Sequence, residues 1–449
     1  MNRRQFISSA AAAPALAAAQ SRRPNFIVIM TDDQGLHDLG CLGATDLKTP
    51  HIDALAASGA RFTNWYSNAP VCAPSRAALM TGRYPIRAGV PTNGQPLTAQ
   101  QRTTASLLKP LNYRTGLVGK WHLGDTPDTV PNAHGFDYFY GFHPGCVDFY
   151  SHIYYWGDRG NNPQVNFHSL FRNRQEIFED GEYLTERITT EAASFIGRHH
   201  ADPFFLTVTY NAPHYPMHAP EKYKRRFPML RQERQTYAAM LAAVDDGVGQ
   251  IRAAISQHGL TNDTLIFYVA DNGATTENRA GIGQQPATAG DNSPFRGFKF
   301  SLFDGGMHVP GIMSWPGVIP GGQVNSELAM TMDILPTITK AAGGTISHTV
   351  DGKDILPVAH AGAKSPHDAI FWKNGNQLAV RRGDWKLVLN GITYGRTPEE
   401  KKPLTGDDAV FLSNLPADPG ETRNLRHANA ALVDELSSLI HKWSEDMRP

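Results

Sequence analysis

Short, continuous runs of apolar and β-branched residues, each ending in a polar cluster, constrain the fold of this chain most strongly. Continuous apolar runs, unlike alternating ones, are typical of strands buried on both faces of a parallel sheet. The runs lie at residues 26–30, 116–118, 204–210 and 265–270. Segments 49–59 and 233–257 carry apolar residues at helical spacing. Strands alternating with helices predict an α/β fold with a mixed, mostly parallel sheet between helices.

The first of these helices carries its own start and stop signals. Thr49 is the predicted N-cap, Pro50 stands at the first helical position, and Gly59 follows the last turn. Thr is favoured before a helix because its hydroxyl can accept a free backbone N–H, and Pro fits the first turn, where no N–H is needed. The apolar positions of this helix are predicted to face the core.

The pattern changes after about residue 346. Segments 370–372, 377–381 and 385–389 read as short strands separated by Gly-Asn and Gly-Asp turns, and 429–447 reads as an amphipathic helix. A chain of 449 residues is long enough for one large and one smaller domain. We therefore predict a large domain over 24–346 and a C-terminal subdomain over 347–449, built from a small antiparallel sheet with a helix.

The first residues resemble a targeting signal. Arg3 and Arg4 precede an apolar residue, and 10–19 is nearly all alanine and leucine. This pattern predicts a twin-arginine export signal over 1–23, so the mature chain is expected to be periplasmic or secreted. An unstructured start or an uncleaved anchor are the alternatives. No later segment has the apolar length of a transmembrane helix, so we expect no stable membrane insertion.

Composition excludes several classes of protein. Lys plus Arg and Asp plus Glu each total 42, which leaves no net charge for a basic nucleic-acid binder or a polybasic membrane-surface protein. Three cysteines are too few for a disulfide scaffold or a zinc ribbon. Cys41 and Cys146 could pair, although nothing in the sequence requires it.

Two strand ends carry an all-oxygen set of polar side chains. Asp32 and Asp33 follow the first apolar run, and Asp271 and Asn272 follow the last. Ligands bind beyond the carboxyl ends of parallel strands in open α/β sheets, so these clusters suggest one shared site. Oxygen-only ligands favour Ca²⁺ or Mg²⁺ over zinc. The alternative is that each pair caps a helix or a tight turn.

Residues 72–83 form the most specific motif. The run reads Cys-Ala-Pro-Ser-Arg-Ala-Ala-Leu-Met-Thr-Gly-Arg, with Cys72 at the start of a helix-like segment. A thiol at a helix N-terminus would ionise easily and could act as a nucleophile. A lone cysteine is more often an inert buried residue, but the complete run is far more specific than a lone cysteine.

This run resembles the signature of the type I sulfatases of the alkaline phosphatase superfamily, and the nearest resemblance is to arylsulfatase and N-acetylgalactosamine-4-sulfatase-like enzymes. Other stretches resemble the family's motifs over most of the chain. They are 31–35, 119–124, 271–273, 296–299 with 304–306, and 418–425. The resemblance implies an alkaline phosphatase-like large domain. It also implies that a separate maturation enzyme oxidises Cys72 to formylglycine.

The same resemblance implies roles for individual residues. Calcium, or less favourably Mg²⁺, would be held by Asp32, Asp33, residue 72, Asp271 and Asn272. One hydroxyl of the hydrated aldehyde at residue 72 would attack sulfur, and the other would drive sulfate out. Asp271 and His122 would accept the protons of the two hydroxyls, and His214 with Lys299 would protonate the leaving alcohol. Charge on residue 72 and on the sulfate oxygens would be stabilised by Arg76, Lys120 and Lys299.

Without the resemblance, several of these residues have ordinary interpretations. Lys120 and His122 could lie in a solvated turn, and His214 and Lys299 could be surface residues. Four residues depart from the family pattern, which affects the expected substrate and not the reaction. They are His37, Phe298, Phe300 and His308.

The substrate is inferred from a further stretch. Residues 134–142 and 148–152 resemble the matching part of N-acetylgalactosamine-4-sulfatase-like enzymes, which predicts a sulfated saccharide. Aromatic residues between Phe142 and Phe171 could bind sugar rings or could be buried anchors of a surface loop. The main alternative is a formylglycine-dependent phosphodiesterase or phosphonate monoester hydrolase. A non-catalytic glycan-binding relative and a zinc phosphatase fit the residues less well.

Overall fold

The computed structural model describes residues 22–154, 167–277 and 287–447. The predicted export signal therefore lies almost wholly outside the described residues. Within the described ranges the helices are α1 Pro50–Ala57, α2 Cys72–Thr81, α3 Thr104–Leu108, α4 Leu184–His199, α5 Glu221–Lys224, α6 Gln232–Gln257, α7 Asp304–Met307, α8 Ile334–Ala341, α9 Leu356–Ala361 and α10 Ala430–Asp446. Among these helices, none combines the length and the apolar character needed to cross a bilayer.

The strands are short except in the middle of the large sheet. In chain order they are β1 Asn25–Thr31, β2 Ala60–Phe62, β3 Trp65–Tyr66, β4 Arg114–Lys120, β5 Tyr138–Phe142, β6 Ile153–Tyr154, β7 Phe167–His168, β8 Phe171–Arg172, β9 Gln175–Glu176, β10 Phe204–Thr209, β11 Thr264–Ala270, β12 Gly311–Ser314, β13 Gln323–Asn325, β14 Ala329–Met330, β15 Ile370–Asn374, β16 Gln377–Arg382, β17 Trp385–Leu389, β18 Ile392–Thr393, β19 Lys402–Pro403 and β20 Val410–Asn414.

A ten-stranded sheet forms the centre of the molecule, in the order β13-β2-β12-β11-β1-β10-β4-β5-β8-β9. Its five central strands, from β11 to β5, pair in parallel, and antiparallel pairs flank them on both sides. The four apolar runs of the sequence are β1, β4, β10 and β11, which are adjacent in the sheet. The prediction of a mixed, mostly parallel sheet is therefore confirmed.

Both faces of this sheet are buried, as the continuous apolar runs require. On one face Ile27 and Ile29 of β1 pack in a core shared with α1, α4 and α6. On the other face Phe26, Val28 and Met30 pack in a core shared with α2, α3 and α8. Side chains alternate between the faces of a strand, so a strand covered on both sides must be apolar throughout.

The C-terminal part is a four-stranded antiparallel sheet, β15-β16-β17-β20, with α10 packed against it. Leu436 and Ile440 of α10 are buried on Val380, Leu387 and Leu412 of the sheet. This confirms the predicted small antiparallel sheet with a helix. The opposite face of the sheet packs on the large unit.

Two local predictions hold in part. Thr49 is the N-cap residue of α1, as predicted, but its side chain makes no cap hydrogen bond. Its hydroxyl donates to Asp53 Oδ1 at 3.0 Å and accepts from the Gly40 N–H at 2.9 Å, so it ties a loop to the helix. The strand predicted at 116–118 extends over Arg114–Lys120, which makes Lys120 the last residue of β4 rather than part of a following turn.

Candidate active site

The predicted site residues meet at the carboxyl ends of the central parallel strands. Asp32 and Asp33 follow β1, and the register pairs Thr31 with Ala270, so Asp271 and Asn272 follow β11 directly beside them. His214 follows β10, and His122 follows β4. Neighbouring parallel strands end at the same edge of a sheet, which is why residues far apart in sequence converge here.

Cys72 is the first residue of α2 and is 1% exposed. Its Sγ lies 3.5 Å from Asp32 Oδ1 and 3.9 Å from Asp33 Oδ1. Burial raises the pKa of the Cys72 thiol well above its ordinary value, and Lys120 and Lys299 only partly oppose this. The expectation of an easily ionised thiol is wrong, because loss of water around the sulfur, together with the charges of Asp271 and Asp32, outweighs the nearby cations.

Three buried carboxylates converge beside the sulfur. Burial and the charges of Asp32 and Asp271 raise the pKa of Asp33 to about 7 against the opposing effect of Lys299. Burial would also raise the pKa of Asp32, but Lys120 and Arg76 together outweigh it and lower this pKa. Carboxylates packed this closely repel one another, and a bound cation would relieve that cost.

The carboxylate and amide oxygens of the site, unlike the thiol sulfur and the imidazole nitrogen beside them, fit a hard divalent cation. Asp32, Asp33, Cys72 and His214 each offer a ligand atom, and these atoms all lie within 4.8 Å of one another. Asn272 donates its Nδ2 to Asp33 Oδ1 at 2.7 Å, while its Oδ1 is buried without a hydrogen-bond partner. An orphaned amide oxygen beside buried carboxylates is the kind of ligand that Ca²⁺ takes.

Each of the three predicted cations contacts at least one of these carboxylates. Lys120 Nζ donates to Asp32 Oδ2 at 2.5 Å, and Lys299 Nζ donates to Asp33 Oδ2 at 3.0 Å. Arg76 contacts Asp271 Oδ2 through Nε at 3.1 Å and through its terminal nitrogen at 2.9 Å. These side chains are therefore buried site residues, and the interpretation of Lys120 and Lys299 as surface residues is wrong.

His214 is buried and His122 is half-buried, so neither predicted histidine is a surface residue. His122 has a positive φ of 59°, and its Nδ1 has no hydrogen-bond partner. His214 Nδ1 contacts the Tyr215 carbonyl oxygen at 2.7 Å, and its Nε2 lies 3.6 Å from Asp33 Oδ2. Burial and Lys120 lower the pKa of both rings well below the ordinary value. The neutral ring can accept a proton, which suits the role predicted for His122. The role predicted for His214 is to donate a proton, which requires the protonated ring that this environment disfavours.

Two further polar residues, to which the sequence analysis assigned no role, lie in or beside the site. Glu277 Oε2 is 3.1 Å from Lys299 Nζ and accepts from the Tyr215 hydroxyl at 3.1 Å. Although burial opposes it, Lys299 lowers the pKa of Glu277 to about 2. Asn211, 2% exposed, follows β10 and has both side-chain polar atoms without a partner. Its place directly after an apolar run was a usable signal, whereas Glu277 lies seven residues beyond the end of β11.

One open alternative is decided for the described residues, and a second is decided for part of its stretch. Cys41 and Cys146 are both free, so they do not pair. In the aromatic stretch, Phe142 and Phe149 are buried in the core, and Phe171 packs against a histidine ring, so these three residues are structural anchors, whereas Phe167 is 44% exposed. The remainder of that stretch, 155–166, lies outside the described residues.

Comparisons with known proteins agree with this geometry. The family model described as Sulfatase matches residues 24–344. Arylsulfatase J of Mus musculus is 30% identical over 97% of this chain and 78% of its own length. N-acetylgalactosamine-6-sulfatase of Rattus norvegicus is 31% identical over 94% of this chain and 85% of its own length. The crystal structure of Ps i-CgsB in complex with k-i-k-neocarrahexaose superposes with a TM-score of 0.82 at 31% identity, covering 95% of this chain and 94% of that one.

Proposed function

This chain belongs to the sulfatase family, and we propose that it removes sulfate from a sulfated saccharide through a formylglycine made from Cys72 by a separate maturation enzyme. The fold is the alkaline phosphatase-like fold of its solved relatives, and the chain is a sulfuric ester hydrolase. Relatives named for N-acetylgalactosamine 6-sulfate, and one solved with a neocarrahexaose, support a saccharide as substrate.

The position of Cys72 carries this proposal. Cys72 is the first residue of α2, and its side chain points at Asp32 and Asp33. Any group formed at the position of its sulfur therefore lies among the carboxylates and cations of the site. The complete motif at 72–83 surrounds it. Neither of the other cysteines stands in such a motif or contacts Asp32 and Asp33 directly. Cys41 packs beside α1, and Cys146 contacts Tyr215 and Ala287, although it feels the charges of Lys120 and Asp32.

The charges of the site fit an anionic ester. Four carboxylates face three cations, which leaves one net negative charge when all are ionised. The carboxylates are those of Asp32, Asp33, Asp271 and Glu277, and the cations are those of Arg76, Lys120 and Lys299. One bound divalent cation would make this charge positive by one, which matches the single negative charge of a sulfate ester.

We propose that the cation is calcium, held by Asp32, Asp33, Asp271, Asn272 and residue 72. When bound it would withdraw electron density from a sulfate oxygen and orient the ester. Magnesium fits less well, because it demands near-octahedral geometry and keeps several waters, whereas calcium accepts many oxygen ligands in flexible arrangements.

The residues of this chain would then move protons and hold charge. Formylglycine supplies two hydroxyls in its hydrated form, one for attack on sulfur and one for release of sulfate. Asp271 would take the proton of the attacking hydroxyl. His122 would take the proton of the second hydroxyl. His214, with Lys299, would protonate the leaving alcohol, because the negative charge of a bound sulfate ester favours the protonated ring that burial and Lys120 disfavour in the free site.

The test is sulfate release after co-expression with a formylglycine-generating enzyme. Mass spectrometry of the peptide containing residue 72 establishes its oxidation, and inorganic sulfate is then measured over sulfated glycosaminoglycans, algal galactans and their oligosaccharides. Release that disappears in Cys72→Ala is the expected result. Full activity of protein with an unmodified thiol would refute the formylglycine mechanism. Hydrolysis of an aryl phosphodiester without any sulfate release would favour the phosphodiesterase alternative.

We also propose that the chain is exported by its twin-arginine segment. The observation behind this is the pairing of Arg3 and Arg4 with the alanine-rich run at 10–19. Replacing both arginines by lysine (Arg3→Lys, Arg4→Lys) is expected to leave the protein in the cytoplasmic fraction of a bacterial host. Export of this variant at the unaltered level would contradict the proposal.

A further inference from the structure

A cleft of about 860 Å³ lies between the large unit and the C-terminal sheet. Its walls come from Phe300, from the turn between β15 and β16, and from the segment around β18 and β19. None of the residues assigned to catalysis or metal binding lines it. Phe300, however, directly follows Lys299 in the chain, so the cleft adjoins the candidate active site.

Phe300 is held firmly in place between the two parts of the molecule. Its N–H donates to the Pro70 carbonyl oxygen at 2.7 Å, two residues before Cys72. Its carbonyl oxygen accepts from Asn374 Nδ2 at 2.8 Å and from Gln377 Nε2 at 3.1 Å. The residue has a φ of +74°, which an aromatic residue adopts only where its surroundings impose it. The wall shared by the site and the cleft is therefore preorganised.

Two aromatic rings lead from the catalytic cations into the cleft. The Phe300 ring centre lies 5.6 Å from Lys299 Nζ, and the Tyr394 ring centre lies 5.6 Å from that of Phe300. Burial and the charge of Glu277, the partner of Lys299, raise the pKa of Tyr394. Tyr394 is thus electrostatically close to the active site, although it lies far from the other site residues in sequence.

The lining has the chemistry of a carbohydrate site with a preference for anions. It presents the two half-buried rings, the side-chain amides of Asn374, Asn376 and Asn390, the cation of Lys373, and no carboxylate. Beside the lining, Lys401 adds a second cation, with Nζ 5.2 Å from the Tyr394 ring centre, while the neighbouring Glu400 carboxylate accepts from the N–H groups of Arg396 and Thr397. Aromatic faces pack on the apolar sides of sugars, amides match hydroxyls, and lysines match sulfate groups.

We propose that this cleft binds the sugar units next to the one that carries the scissile sulfate, so that the preferred substrate is a sulfated oligosaccharide and not a monosaccharide. The inference rests on the proposed saccharide sulfatase function. The monosaccharide lacks the units that would reach Tyr394 and Lys373, whereas an oligosaccharide gains their contacts.

Binding by chain length tests this directly. The probes are the sulfated mono-, di-, tetra- and hexasaccharides of the polymer from which the wild-type protein releases most sulfate. Dissociation constants are measured by calorimetry with calcium present in Cys72→Ala, which cannot turn the probes over. We expect affinity to rise with chain length in this protein. Adding Tyr394→Ala or Lys373→Ala should weaken hexasaccharide binding about 3- to 10-fold and leave monosaccharide binding unchanged.

Lys442→Ala is the matched control, because Lys442 is an exposed cation on α10, which packs on the C-terminal sheet and does not line the cleft. Lys373 is also exposed, so its replacement keeps the test valid if Tyr394→Ala unfolds. Equal losses for mono- and hexasaccharide, or no loss for either, would overturn the cleft assignment while sulfate release by the wild type continues. Absence of sulfate release from every saccharide would instead refute the proposed function, and the cleft assignment with it.

Discussion

A buried charge network at the seam between the two sheets should make stability fall as pH rises. Lys386 Nζ contacts Asp304 Oδ1 at 2.6 Å and Glu421 Oε1 at 3.2 Å, and all three residues are at most 1% exposed. The single ammonium group of Lys386 thus forms ion pairs with two carboxylates. Burial raises the pKa of Glu421 to about 7, and the charge of Asp304 adds to this against the opposing effect of Lys386.

The sign and the size of the effect follow from this pKa. Glu421 has an ordinary pKa of 4.5, so the folded state favours its protonated form. This stabilisation is fully present below pH 4.5 and is lost as pH rises through 7. The shift corresponds to about 3 kcal/mol, most of it lost between about pH 5 and 8. Glu421→Gln introduces a neutral side chain of the same shape, so this variant should not lose the stability that the wild type loses when Glu421 ionises.

Urea unfolding followed by tryptophan fluorescence at several pH values, with calcium held constant, measures the effect. Between pH 5 and 8 the difference in free energy of unfolding between Glu421→Gln and the wild type should increase by about 2 kcal/mol in favour of the variant. Glu445→Gln, an exposed glutamate on α10, is the control and should follow the wild type. If Glu421→Gln loses stability in parallel with the wild type over this range, the reasoning about Glu421 is wrong.

Three further changes test the metal site, the C-terminal core and the strand packing. Asp33→Asn should weaken calcium binding about tenfold or more in calorimetry, because it removes a charged ligand; unchanged affinity would exclude Asp33 as a ligand. Leu436→Ala, at a fully buried position, should lower the free energy of unfolding in urea by about 2–5 kcal/mol. Leu439 is half-buried, so Leu439→Ala should lower it less, and equal losses for the two variants would contradict the packing. Gly119→Ala should lower the free energy of unfolding by more than about 2 kcal/mol, because Gly119 has a φ of +120° and a Cβ there would lie 1.9 Å from the Thr209 carbonyl oxygen. An unfolding midpoint equal to that of the wild type would refute this.

Much of the fold could be predicted because it depends on local patterns. The runs at 26–30 and 265–270 are apolar throughout because β1 and β11 are covered on both faces. The turns between β15, β16 and β17 carry Gly, Asn and Asp, which identified the C-terminal antiparallel sheet. The position of the site was also predictable, since parallel strands bring their carboxyl ends to one edge.

The roles of single residues depended on motifs rather than on patterns. Nothing about Lys299 or His214 in isolation distinguishes them from surface residues, and only the resemblance of their surroundings to a family suggested otherwise. Glu277 was missed because its part in the site comes from Lys299 and Tyr215, which are distant in sequence, whereas the position of Asn211 directly after β10 was available in the sequence.

The sequence by itself determined the order of strands and helices, the residue types at the strand ends, and the motif around Cys72. Only the tertiary structure decided how those groups titrate, because a pKa depends on burial and on charges brought near through space. Cys72 shows this, since burial outweighs Lys120 and Lys299 and keeps its thiol protonated. The cleft beside Phe300 likewise exists only where the loop after Lys299 meets the C-terminal sheet, a contact between segments that share no local pattern.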